Sequence, residues 1–164
     1  DNTGRADEPI YEFELAVERV RAAAEAARSV DGGFVLTARA ENFLVGRPDL
    51  KDTIKRLQAF QEAGADVLFA PGLTSVEQIQ TVLNEVDPPL NVILVGALKP
   101  TVPELFAMGV RRVSTGGSLA RAAYGEMVRA ARELQSQGTR GYLERALTSP
   151  QINGVLSGDA SAKL

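Results

Sequence analysis

Apolar residues recur every three or four positions at Ile10, Phe13, Val17, Val20, Ala24 and Ala27, with charged residues between them. That spacing predicts an amphipathic helix over 10–27, ended by the Asp31-Gly32-Gly33 turn. Residues 34–39 form a short β-rich run and predict a buried strand. Residues 40–48 read as a loop. Asp49 is placed to cap a helix with Ile54, Leu57, Phe60 and Ala63 on one face, stopped by Gly64. The pattern then repeats, with strands over 67–70, 92–95 and 110–114. Helices are expected over 75–86, 103–108 and 119–137. Beyond Thr139 the periodicity weakens to short helices over 142–147 and 150–156 and a frayed tail over 158–164.

Helices alternating with short apolar strands imply parallel strands covered by crossover helices. Two architectures satisfy that order: an open doubly wound sheet, or part of a (β/α)₈ barrel. Four strands are half a barrel, whose complete form takes about 250 residues; the chain has 164. Residues 1–138 read as the βα units of one partial domain, and 139–164 as a helical extension and tail.

Composition narrows the chemistry. The chain has no cysteine and no histidine. Disulfides, thiolate chemistry, His-ligated metals and Ser-His or Cys-His nucleophile pairs are therefore excluded within these residues. A formal charge of −3 provides no field to attract a polyanion, so nucleic acid is not an expected partner. The apolar runs fall far short of the ~20 residues that span a bilayer. The polar, acidic first residues do not resemble a signal peptide, so a cytoplasmic location is expected.

Three strand ends carry candidate chemistry, because ligands of parallel α/β folds gather at the carboxyl ends of strands. The first is LTARAENF (36–43), where Arg39 could hold a carboxylate or phosphonate through its planar fork. Glu41 could orient that arginine or act as acid or base; alternatively the two simply pair at the sheet edge. In VSTGGSLA (113–120), Ser114 and Gly116 lie in a turn that either binds an anion through backbone amides or is a plain strand-to-helix connection capped by Ser118. In LVGALKPTVPE (94–104), Gly96 sits at a strand end, and Lys99, several residues further on, reads as a solvated loop lysine rather than a Schiff-base former. FAPGL (69–73) adds an apolar pocket wall at Pro71.

Together FVLTARAENF (34–43), DTIKRLQAFQEAGADVLFAPGL (52–73) and GVRRVSTGGSLARAAYG (109–125) resemble the phosphoenolpyruvate mutase/isocitrate lyase superfamily. The likeness runs over residues 1–138 and is greatest to its phosphonomutase-like and carboxyphosphonoenolpyruvate mutase-like members. It implies an α/β fold, the C-terminal half of a (β/α)₈ TIM-type barrel carrying strands five to eight. It also implies a homo-oligomer, a dimer or tetramer in which the last helix is exchanged. The implied activity is a Mg²⁺-dependent lyase or mutase. It makes or breaks a C–C or P–C bond beside a carboxylate in a small 2-oxo or hydroxy acid or a phosphonate, through an enolate-like intermediate.

Under that resemblance Arg39 is the strand-five arginine that contacts the substrate's acidic group, with Glu41 and Asn42 adjoining it. Pro71, Gly96, Ser114 and Gly116 line the substrate pocket. Ala70 and Pro71 stand where some mutases carry a histidine, which favours a lyase. Asp1 matches the aspartate that follows a metal-shell glutamate, so the Mg²⁺ ligands are expected upstream of these residues, in a first half that this sequence does not contain. The competing expectation is a non-catalytic half-barrel that buries its open edges by self-association.

Overall fold

The computed structural model describes residues 1–96 and 98–158; Ala97 and the expected tail beyond Gly158 lie outside the described residues. Helix α1 spans Phe13–Arg28. It starts three residues later than the periodicity predicts because Ile10 is held by an antiparallel bridge to Asn2, reinforced by the Thr3 amide donating to the Pro9 carbonyl at 3.0 Å. Ile10 is nevertheless buried. Its apolar side chain serves the core from extended backbone.

Strand β1 is Thr37–Arg39, half the predicted run. The Asp66 carboxylate accepts from the Leu36 amide at 2.7 Å, and the Leu36 carbonyl accepts from Asp66 and Val67. The ladder therefore closes at Leu36, and Phe34 and Val35 stay exposed at 61% and 62% rather than buried. Helix α2, Leu50–Glu62, begins as predicted, with the Asp49 side chain accepting from the Asp52 amide at 3.0 Å. There follow β2 Val67–Phe69, α3 Val76–Glu85, β3 Leu90–Ile93, α4 Val102–Ala107 and β4 Arg112–Ser114. Helix α5, Ser118–Gln137, has Gly117 rather than Ser118 at its cap position, with no side-chain bond there. A 3₁₀ turn, Gly141–Glu144, and α6, Ser149–Ser157, occupy the two weakly periodic stretches.

The four strands are parallel in the order β1-β2-β3-β4. Doubly wound sheets reverse their strand order at a switch point. This order advances one way only, as consecutive barrel strands do. The register separates two faces of the sheet. Ala38, Leu68, Leu90 and Val92 join Leu57, Phe60, Ile79, Val82 and Leu105 of the helices in one buried cluster. The other face carries Arg39, Phe69, Asn91 and Arg112 in a single register row.

Asp1–Gly116 forms one compact unit and Gly117–Leu164 a second. In the second unit the Glu133 carboxylate accepts from the Thr139 hydroxyl at 2.6 Å and the Tyr142 amide at 3.1 Å. Those bonds turn the chain after α5, where Gly138 takes φ +68°. Among the described residues no helix is long and apolar enough to cross a membrane.

Candidate anion-binding site

The end of β1 gathers most of the polar machinery. Arg39, about half exposed, pairs with the carboxylate of Glu41, which is buried. Its guanidinium also stacks over the Phe69 ring of β2, 5.1 Å from the centroid. A planar cation held between a carboxylate and an aromatic face loses little further entropy when it grips an anion.

Asp1 fixes the strand end beneath it. Its main-chain nitrogen donates to the Arg39 carbonyl at 2.8 Å, and its Oδ1 accepts from the Glu41 amide at 2.8 Å. Its carbonyl accepts from the Tyr11 amide at 2.9 Å. The remaining Oδ2 meets Arg56 Nη1 at 3.1 Å. Arg56, from α2, also donates through Nε to Asp52 Oδ2 at 2.9 Å and through Nη1 to the Tyr11 carbonyl at 3.0 Å. The Asp1 and Arg56 side chains are only 1% and 7% exposed, so this ion pair is nearly dry.

Asn42 extends the network, its Nδ2 donating to Asp52 Oδ2 at 2.7 Å. Its Oδ1 is buried without a hydrogen-bond partner among the described residues. The structure thus joins three of the sequence candidates, Arg39, Glu41 and Asn42. The Asn42 amide is committed to α2, while the Arg39 fork remains half open.

The other candidates lie at neighbouring strand ends. Pro71 is buried beyond β2, beside Gly72, where an added Cβ would come within 2.7 Å of Phe43 Cβ and where φ is +96°. The loop after β1 therefore rests on the loop after β2, and only glycine fits. Gly72→Ala is expected to destabilise the protein by about 1–3 kcal/mol, measured by urea denaturation. Gly96 is exposed, at φ +65°, with open space around it. Ser114 Oγ accepts from Asn91 Nδ2 at 3.0 Å, and Gly116 packs against Ile93. Lys99 lines a groove with Val76 and Glu104.

The largest cavity described, about 790 Å³, lies between α2 and α3 and contains none of these strand-end residues. Arg39 instead borders a cavity of about 240 Å³ with Asp1, Arg19 and Thr37.

Burial works against ionisation of Asp52, but hydrogen bonds from Arg56 and Asn42 outweigh it and hold the carboxyl below its usual range. A depressed folded-state pKa contributes stability above the unfolded value and loses it as pH falls through the folded one. Thermal stability is therefore expected to drop as pH falls below about 4, and to drop less in Asp52→Asn; parallel Tm curves for the two proteins would contradict this.

Arg56, Asp52, Asn91 and Arg112 were not among the sequence candidates. The α2 pattern did hold a signal. Thr53, Arg56, Leu57 and Phe60 follow helical spacing and are all buried, so an arginine occupies an apolar-stripe position with Asp52 four residues before it. Asn91 and Arg112 offer no such local sign, because their partnership exists only across two strands. Among the described residues no group of three His, Cys, Asp or Glu side chains could hold a metal ion. Glu41 and Asp1 are already committed to arginines, so these residues do not fit a Mg²⁺ centre.

The family model for phosphoenolpyruvate phosphomutase matches residues 1–135. A provisionally assigned lyase/mutase from Burkholderia cenocepacia J2315 is 50% identical, with TM-score 0.90 over 96% of this chain and 57% of its own. The structure of 2,3-dimethylmalate lyase, a PEP mutase/isocitrate lyase superfamily member, is 27% identical with TM-score 0.72, over 94% of this chain and 57% of its own. Phosphonopyruvate hydrolase, in complex with oxalate and Mg²⁺, is 25% identical with TM-score 0.74, over 97% of this chain and 56% of its own. This chain thus spans little more than half the length of the solved structures it matches. None of the curated proteins matches it.

Proposed function

The chain belongs to the phosphoenolpyruvate phosphomutase family, within the PEP mutase/isocitrate lyase superfamily, and its architecture is that superfamily's partial (β/α) barrel; from this we propose that it forms the anion-binding wall of a Mg²⁺-dependent lyase. The substrate is a small 2-oxo or hydroxy acid or a phosphonate, and the bond made or broken, C–C or P–C, lies next to its carboxylate. The observation that carries this reading is Arg39 at the end of β1, fixed by Glu41 and Phe69 with its fork half open.

In this reading Arg39 binds the carboxylate and holds it as charge builds on the adjoining carbon. A donor oriented in advance stabilises that charge without reorganising. Glu41 positions the arginine, its Oε1 being committed to that pair. Mg²⁺ would be held by ligands outside the described residues, and none of the roles given to those residues runs through it. The lyase is preferred to a mutase because the chain contains no histidine at Pro71 or elsewhere.

The protein is proposed to work as a homo-oligomer, dimer or tetramer. In support, Leu119, Tyr124, Met127 and Leu134 of α5 are all exposed, and light scattering after size exclusion would measure the assembly. The activity test is incubation of the complete polypeptide carrying these residues with Mg²⁺ and a panel of hydroxy-dicarboxylates, 2-oxo acids and phosphonopyruvate, followed by NMR. Mg²⁺-dependent cleavage into two smaller products is the expected result. A stable oligomer that converts none of them, with or without Mg²⁺, would overturn this reading in favour of a self-associating, non-catalytic half-barrel.

A further inference from the structure

The strand end that carries Arg39 and Glu41 is gripped from α2 by two arms. In the first, Asp1 clamps the backbone at two points, its main-chain nitrogen donating to the Arg39 carbonyl and its Oδ1 accepting from the Glu41 amide, each at 2.8 Å. Its Oδ2 accepts from Arg56 Nη1 at 3.1 Å. In the second, Asn42 Nδ2 donates to Asp52 Oδ2 at 2.7 Å, and the same oxygen accepts from Arg56 Nε at 2.9 Å. The contacts therefore run from Glu41 through Asp1, Arg56 and Asp52 to Asn42, and close through the Glu41–Asn42 peptide bond.

A closed circuit restrains more than separate bonds do, because a shift of one member disturbs both of its neighbours. Asp1, Arg56 and Asn42 are buried, and Asp52 is the more open joint. On the opposite edge of β1 the Ala40 amide donates to the Phe69 carbonyl at 2.9 Å, so the segment is fixed from that side as well. Well-packed apolar residues in place of a buried ion pair are often as stabilising, so stability alone gives no reason for this one. What ionised partners add is direction, since their hydrogen bonds fix distance and angle.

We propose that Arg56 and Asp52 are positioning residues for the reaction: through Asp1 and Asn42 they set the placement of the Arg39–Glu41 pair that grips the substrate's acidic group. The proposal rests on Arg39 binding that group, and adds that its aim is set from α2, by side chains that do not themselves touch the substrate. A planar fork engages two oxygens only when correctly aimed, and a misplacement of about 1 Å can cost roughly a hundredfold in rate.

Two variants of the complete polypeptide open the circuit at one joint from opposite sides. Asp52→Ala removes the oxygen that joins Arg56 to Asn42. Arg56→Lys keeps a positive charge beside Asp1 but has no Nε with which to hold Asp52 at the same time. Hydrogen exchange followed by NMR should show the Glu41 amide exchanging about tenfold faster in both, with the amide of Leu68 in the core unaltered. Titration with pyruvate, a small 2-oxo acid, in a buffer containing Mg²⁺ should show affinity lowered about tenfold, the size of one charged hydrogen bond. In an Arg39→Lys background Asp52→Ala should lower it by less than about twofold further, because the fork it helps to aim is already gone. A side chain that merely stabilises the fold would act equally in both backgrounds.

An unaltered Glu41 exchange rate in both variants would overturn the proposal, since α2 would then not hold the strand end. Faster exchange with unchanged pyruvate affinity, or an equal loss of affinity in the two backgrounds, would overturn it too and leave the circuit a structural one. The reading of Arg39 fails by a different result: Arg39→Lys would bind pyruvate as the unsubstituted protein does, and the proposal would fall with it. A weakened Arg39→Lys beside unaffected Asp52→Ala and Arg56→Lys sinks the positioning role alone.

Discussion

Arg56→Met is expected to destabilise the protein by about 3–5 kcal/mol, a fall in Tm of roughly 10 °C. Methionine preserves much of the aliphatic stem and its packing near Phe13, whose ring centre is 5.9 Å from the guanidinium carbon. What it removes is the positive charge. The Asp1 carboxylate, almost wholly shielded from water, would keep its bond from the Glu41 amide but lose its counter-ion, and the Tyr11 carbonyl would lose the donor that Arg56 provides.

An unpaired carboxylate in that setting must either bear the desolvation cost or take up a proton. Asp52→Asn should cost less, since the Asp52 side chain is 37% exposed and water can replace its partners. A loss below about 1 kcal/mol in Arg56→Met, of the size typical of surface pairs, would mean that the network stabilises little.

The second large effect is on turnover. Arg39→Lys is expected to lower kcat/KM by about a hundred- to thousand-fold while leaving the folded state nearly as stable. Lysine keeps a positive charge beside Glu41, so the buried carboxylate is not stranded. It lacks the planar fork that binds two carboxylate oxygens at once and stacks on Phe69. Arg39→Ala is the harsher change and confounds two effects, because Glu41, 5% exposed, would be left without its cation. Comparing kcat and KM separately for Arg39→Lys distinguishes the possibilities. A fall in kcat places the arginine's grip in the transition state; a rise in KM alone places it in substrate binding. Unchanged kcat/KM would remove Arg39 from the site.

The strand ends were legible in the sequence where a local rule applied. Arg39, Glu41 and Asn42 follow directly on an apolar run, and a parallel α/β order sends such residues to the ligand end. The network beneath them was less legible. Arg56 lies within the buried stripe of α2, but its partner Asp1 is 55 positions away in the chain, and no periodicity connects the two. Asn91 looked like the lead-in to an apolar strand. Its significance comes from β4, 21 and 23 residues further on, whose Arg112 and Ser114 its amide joins.

Local pattern by itself determined the alternation of helices and strands, the cap at Asp49 and the exclusion of thiol and imidazole chemistry within these residues, since each depends on neighbours within a turn or on composition alone. It overestimated β1, because strand length is set by the partner strand. Phe34 and Val35 are apolar enough for a strand, but the Asp66 side chain takes the Leu36 amide and ends the ladder. The choice between a doubly wound sheet and consecutive barrel strands also lay beyond periodicity, which encodes what each element buries and not which neighbour it joins. Only the tertiary structure decided the order β1-β2-β3-β4, and with it the row that brings Arg39 and Arg112 to one face, because backbone hydrogen bonds between strands are contacts between residues far apart in the chain.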